Sequence, residues 1–365
     1  YNGSEINVEG GELVVATALR AFTVVHTVNF YMSGGVIIVA NIGNATEYAS
    51  FWIPATGSLF AMSGGTIIVR FNSTHGIPVD YHNVAGTVNI SGGIVQFADA
   101  TVGGSRIYRI GTGSHNIMPG LVLVNAGVST TVLFNNTVRV YGSVLINEFT
   151  TLNVNNFHLW VGINWTNYGS FVYGMGTVEF FGSASGNISA SEFYHVIFSG
   201  SGTKLAIGSL IFYGNVTISQ NFNGGAFTHY VYGNWTNTGN FVYGTSTIHF
   251  VGSASVFVSG GSFYHVIFGG TGSYTATGSI TFYGNVTIAY HFHAGSYIHY
   301  VHGNWINNGT YVWGTSTVVF NGTVLQTIGG SNPTEFYGFT VNNAMGLHLH
   351  VNVTVHYWLT LTLGI

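Results

Sequence analysis

Histidine is the most abundant residue in this chain that titrates near neutral pH, at 16 of 365 residues against 6 Lys and Arg and 10 Asp and Glu. His291 and His293 alternate along one segment, as do His348 and His350, and His299 and His302 lie near the first pair. Two imidazoles at i and i+2 on one strand face can hold Zn²⁺ or Cu²⁺ when a neighbouring segment adds a third ligand. The alternative is a structural row of rings packed with Tyr and Phe. His195 and His265, which share a Phe-Tyr-His-Val context, favour that reading, so no metal is assigned.

Carboxylates are the next candidates, because polysaccharide-cleaving sites need paired acids or a Ca²⁺ cage. Asp80 and Asp99 are the only aspartates, and the glutamates do not recur where the sequence repeats: Glu179 becomes His249 and then Val319, and Glu192 becomes Ser262. Nothing here specifies a catalytic site, so neither a reaction nor a cofactor is expected. Protonating every histidine would turn a net charge of −4 into +12, but few charges also mean few ion pairs to lose, so the fold is expected to tolerate acidic, hot or saline surroundings.

What positions these residues is a repeat. Val161–Gly174 recurs as Val231–Gly244 and as Val301–Gly314, so that Trp165, Trp235 and Trp305 stand seventy residues apart. Phe193–Val196 recurs at Phe263–Val266, and Phe212–Thr217 at Phe282–Thr287. An earlier series, Glu9–Val15, Ser33–Val39, Ser63–Val69 and Ser91–Phe97, has a Gly-Gly pair before a short apolar run, with spacings of 24, 30 and 28 residues. Gly-Gly permits a corner at positive φ, and the Val, Ile and Phe runs read as strands with alternate side chains turned inward.

The fold class expected is therefore all-β, a parallel β-helix or solenoid with coils of about 23 residues, three to each 70-residue repeat. Tandem β-sandwich domains are the alternative. Residues 1–118 form a β-rich region of Gly-Gly coils, and residues 119–365 a solenoid with repeats at 161–230, 231–300 and 301–365. The three tryptophans are expected to form an internal or groove-lining stack, with a sugar-binding platform as the competing reading.

The motif Gly-Asn-Trp-Thr-Asn-x-Gly-x-Phe, read from Gly233, resembles a repeat of secreted β-solenoid surface proteins of archaea and bacteria. The resemblance covers roughly the last 200 residues and implies a structural role at or outside the cell surface. Thirteen Asn-x-Ser/Thr acceptors point the same way: Asn2, Asn44, Asn72, Asn89, Asn135, Asn164, Asn187, Asn215, Asn234, Asn285, Asn308, Asn321 and Asn352. N-glycans there would supply solvation that charges do not. The opening Tyr1, without Met or an apolar leader, is read as a mature chain after signal-peptide removal. Six basic residues make no stripe for nucleic acid, and no apolar run is long enough for a membrane-spanning helix.

The last segment carries the functional expectation. Val351, Val353, Val355, Tyr357, Leu359, Leu361 and Leu363 alternate with polar or aromatic residues over 13 positions, about 43 Å if extended. No Lys, Pro or charge guards this strand against pairing. The sequence therefore predicts an extracellular structural protein whose partner is itself, copies joining into a filament, thread or surface layer by strand addition. A glycan-binding cell-surface adhesin is the main alternative, and a β-helical polysaccharide-degrading enzyme a more distant one.

Overall fold

The computed structural model describes residues 3–20, 25–43, 48–74, 79–111, 116–125 and 129–363. Among them there is no helix; short parallel strands stack coil upon coil as a β-solenoid. The chain divides into two compact units, residues 1–189 with 200–202, and residues 190–199 with 203–365.

In the first unit each coil contributes three strands, and strands pair with their equivalents in the next coil, except that the ladder from Ser4–Val8 ends at Thr87–Ile90 and Asn116–Met118 starts a new one. One ladder runs Glu12–Val14, Val36–Val39, Thr66–Val69, Ile94–Phe97, Leu121–Leu123 and Val144–Ile146. Its register reproduces the Gly-Gly spacings, since Glu12 faces Val36, Val36 faces Thr66 and Thr66 faces Ile94. The two glycines of each corner have separate tasks. Gly11, at φ 71°, takes the left-handed conformation that turns the chain. Gly34 instead lies under the preceding coil, where an added Cβ would come 2.5 Å from the Glu9 carbonyl oxygen.

Beyond each corner the strands alternate as the sequence implies. Thr66–Val69 buries Ile67 and Val69, and Ile94–Phe97 buries Val95 and Phe97. Alternation fills the interior with one apolar layer per coil.

The second unit is built likewise, but its repeat does not contain three coils. From Trp235–Asn237 to Trp305–Asn307 the chain passes through eleven strands, and three strands make a coil. Seventy residues are thus three and two-thirds coils of about 19 residues, not three coils of about 23. The fraction has a visible result. Trp235–Asn237 belongs to the ladder of Val216–Ile218, Val256–Val258, Ser273–Ala276 and His291–His293. Trp305–Asn307 belongs to a different one, with Val286–Ile288, His265–Phe268 and Thr247–Phe250. Each repeat presents its motif one face further round. The physical reason is strand economy: three residues per strand and near-minimal turns shorten the coil until it no longer divides seventy.

The tryptophans are accordingly internal but do not stack on one another. Trp165, Trp235 and Trp305 are each at most 1% exposed. Each meets the aromatic ring six residues on, edge to face: Phe171 at 4.7 Å, Phe241 at 5.0 Å and Tyr311 at 4.9 Å. Columns of phenylalanine do the stacking instead, as in Phe198 on Phe222 at 4.1 Å and Phe268 on Phe292 at 4.2 Å.

Candidate functional site

The terminal strand, Val353–Leu363, is the last rung of the second unit. It pairs in parallel with Thr334–Asn342 of its own chain along one edge, and its other edge has no strand among the described residues. Thr334 faces Val353 and Phe336 faces Val355, but Gly338 faces Trp358, so the terminal strand holds one residue more than its partner at that point. A second shift lies between Val341 and Asn342. The unbroken alternation of the sequence is thus interrupted by bulges, which bend a strand and re-aim its side chains.

The seven expected interface residues separate accordingly. Val353, Val355, Leu359 and Leu361 register with Thr334, Phe336, Phe339 and Val341, the buried row of the preceding strand. Leu359, Leu361 and Leu363 remain just over half exposed. Val351 precedes the strand and is half-buried. Tyr357 leaves the row at the bulge and stacks on Tyr337, ring centroids 4.9 Å apart and planes 8° apart.

The histidines do not converge. No group of three or more His, Asp or Glu able to hold a metal occurs among the described residues. His291 and His293 flank the buried Phe292, and their register neighbours are Ser273, Thr275, Thr310 and Val312, so no third imidazole faces them. His299 is fully buried, whereas His302 stacks on Tyr283 at 4.8 Å. His348 and His350 are exposed.

Two histidines are built into the core: His299, noted above near the first pair, and His229, which the sequence had not marked. His229 Nδ1 accepts the Leu210 N–H at 3.2 Å, and its Nε2 lies 2.8 Å from the Gly224 carbonyl. Seventy residues on, His299 accepts from Ile280 and reaches the Ala294 carbonyl in the same way. Only a neutral ring with its proton on Nε2 satisfies both bonds. The available signal was the position of His229 two residues before the inward Val231.

The carboxylates are occupied by structure. Both oxygens of buried Asp80 accept backbone N–H groups, from Ser73 and from Arg109, the latter at 2.7 Å. Burial nevertheless pushes its carboxyl up to about 7. Asp99 takes the Arg70 guanidinium at 2.6 Å and the N–H and hydroxyl of Thr101. These bonds outweigh desolvation and hold its carboxyl below the usual range.

The sequons acquire a geometric reason. Asn2 and Asn44 lie outside the described residues. Of the others, Asn89, Asn187, Asn215, Asn308 and Asn352 are exposed, and Asn72, Asn135, Asn164, Asn234, Asn285 and Asn321 half-buried. At coil corners their side-chain oxygens continue the ladder. Asn215 Oδ1 accepts the Asn234 N–H at 3.0 Å, and Asn234 Oδ1 accepts the Phe257 N–H at 2.8 Å. Asn285 does the same for Asn304, and Asn164 for Asn187. The rung begins on an imidazole: His195 Nδ1 accepts from Asn215, and His265 Nδ1 from Asn285. An Asn at the corner followed by Thr in the strand produces the sequon without any sugar.

No protein-family model, curated protein or solved structure matches the chain. The class defined by the coordinates is a β-solenoid repeat protein.

Proposed function

We propose that this is an extracellular structural protein whose copies join head to tail into a filament, thread or surface layer by strand addition. The observation that carries the reading is the terminal strand: eleven residues paired, among the described residues, on one edge only, with Leu359, Leu361 and Leu363 exposed beside the open edge. Such an edge templates a further parallel strand, main-chain bonds giving strength and the leucine row giving fit.

A second copy suits this edge better than an unrelated protein. In the first unit, Ser4–Val8 is likewise paired on one side among the described residues, with Val28–Met32, and the adjoining Leu13 and Val14 are exposed. Exposed Glu5, Glu9 and Glu12 accompany it, acceptors for the exposed His348 and His350 beside the terminal strand. Resemblance to secreted β-solenoid surface proteins supports the extracellular placement, and the exposed acceptors, Asn89 and Asn352 among them, leave room for N-glycans as covalent partners.

Negative-stain microscopy of the full chain tests the reading. Continuous fibres or sheets are expected, and Leu359→Lys with Leu361→Lys should reduce them to discrete particles, because a charged row blocks edge pairing. Discrete particles from the unaltered chain at high concentration would exclude assembly by this edge. A glycan-binding role is favoured by a separate surface, the outward aromatic face at Tyr357 and Trp358.

A further inference from the structure

We propose that the outward face carrying Trp313, Tyr337, His356, Tyr357, Trp358 and Glu335 is a binding site for a neutral carbohydrate chain. The site is independent of assembly, since it uses the outer face of the last strands and not their open edge.

The bulge in the terminal strand creates it. Simple alternation would turn Tyr357 inward between His356 and Trp358; the extra residue leaves all three side chains outward and exposed. Each is seated on a partner. His356 stacks on Trp313 at 4.8 Å and its Nε2 lies 2.8 Å from Glu335 Oε2. Tyr357 stacks on Tyr337, and Trp358 meets Tyr357 edge to face at 4.8 Å. Trp358 lies over Gly338, where a Cβ would come within 2.8 Å of the indole carbons, so a glycine is needed beneath it. Despite these seats, Tyr357 is 68% and Trp358 40% exposed. The strand sacrifices regular pairing to display aromatic rings to solvent, which solvent alone does not reward.

The chemistry of the patch selects the ligand. Rings with open faces suit the C–H face of a pyranose, while the Glu335 carboxylate, the His356 imidazole and the indole and phenol groups suit its hydroxyl rim. Glu335 is held by the His356 imidazole and no Lys or Arg is among these residues, so nothing here attracts an anionic polymer. It is a sheet face, which accepts an extended chain and gives an α-helix no groove.

The experiment is affinity electrophoresis of the full chain in gels containing hydroxyethyl cellulose, glycol chitin, mannan or dextran. At least one should retard the protein. Tyr357→Ala and Trp358→Ala should each weaken that retardation roughly tenfold, Trp358→Phe less, and Glu335→Gln partly, with circular dichroism and melting temperature unchanged. The melting control separates loss of the patch from loss of the rung. Three results would overturn the proposal: no retardation by any of the four polymers, retardation untouched by both alanine variants, or variants that lose self-association while keeping retardation. The last would give the surface to a second copy.

Discussion

His229 and His299 occupy the same place in successive repeats, and each holds a backbone N–H of the preceding coil on Nδ1 and a carbonyl on Nε2. Neither ring can accept a second proton without giving up the first bond. Burial lowers the proton affinity of both, and the carbonyl bond only partly offsets it. Burial also lowers that of His82, to about 4, and of His158, His195, His249, His265, His293 and His302.

This arrangement sets the response to acid. An imidazole with a depressed folded pKa binds fewer protons in the native state than in the unfolded one. Its stabilising effect is complete above the unfolded value near 6.5 and is lost as pH falls below it. Each of the two core histidines then costs up to about 1.4 kcal/mol per pH unit. Asp80 acts in the opposite sense, because its carboxyl is raised to about 7, but it is a single group. Counting ion pairs alone suggested acid tolerance; the buried imidazoles oppose it. Denaturation monitored from pH 8 to 4 should show stability falling below about pH 6.5, and His229→Gln with His299→Gln should flatten the slope. A flat profile in the unaltered chain would contradict the assignment.

The separation of Trp235 and Trp305 into different ladders predicts how their removal combines. Replacing either by Ala should cost about 3–5 kcal/mol. Because they share no ladder, the double variant should be additive within about 0.5 kcal/mol. Trp235→Ala with Phe241→Ala should not be, since the two rings meet at 5.0 Å; a coupling of about 0.5–1.5 kcal/mol is expected from urea unfolding. Strong coupling between the tryptophans would restore a shared column.

The corner glycines can be told apart by substitution. Gly11 has positive φ and open space around its missing Cβ, so Asn, which tolerates that conformation, should cost less than about 1 kcal/mol and Val distinctly more. At Gly34 the conflict is with the backbone of the previous coil, so even Ala should cost about 1–3 kcal/mol. Melting of Gly11→Asn, Gly11→Val and Gly34→Ala checks both statements.

Much of the coil was legible because corner chemistry is local. Gly10-Gly11, Gly34-Gly35 and Gly64-Gly65 mark their turns by residue type, and the inward Val and Ile after them follow from alternation. The number of coils per repeat was not legible. Trp235 and Trp305 look equivalent in sequence, while the ladder each joins depends on the accumulated length of strands only three residues long. The bulge at Tyr357 was hidden for a related reason: Val-x-Val-x-Tyr-x-Leu reads as unbroken alternation, and the cause of the break, Gly338 and Tyr337 beneath it, lies some twenty residues earlier. Asp80 and Asp99 drew notice as acids, yet what holds them is backbone N–H groups, the Thr101 hydroxyl and one arginine, which spacing does not reveal.

The asparagine rungs separate two reasons for one sequence pattern. Glycan attachment would use Nδ2 of Asn234, whereas the ladder uses its Oδ1, which accepts the Phe257 N–H at 2.8 Å. Aspartate keeps that acceptor and removes the attachment point; alanine removes both. If the rung is what Asn234 supplies, Asn234→Asp should melt close to the unaltered chain, while Asn234→Ala should lose about 1 kcal/mol. Both should be measured on protein made in a host that does not glycosylate and in one that does, with intact mass reporting occupancy. The ladder predicts the same ranking in both hosts. If Asp and Ala were equally damaging in the glycosylating host and equally harmless in the other, the sugar and not the hydrogen bond would account for the residue.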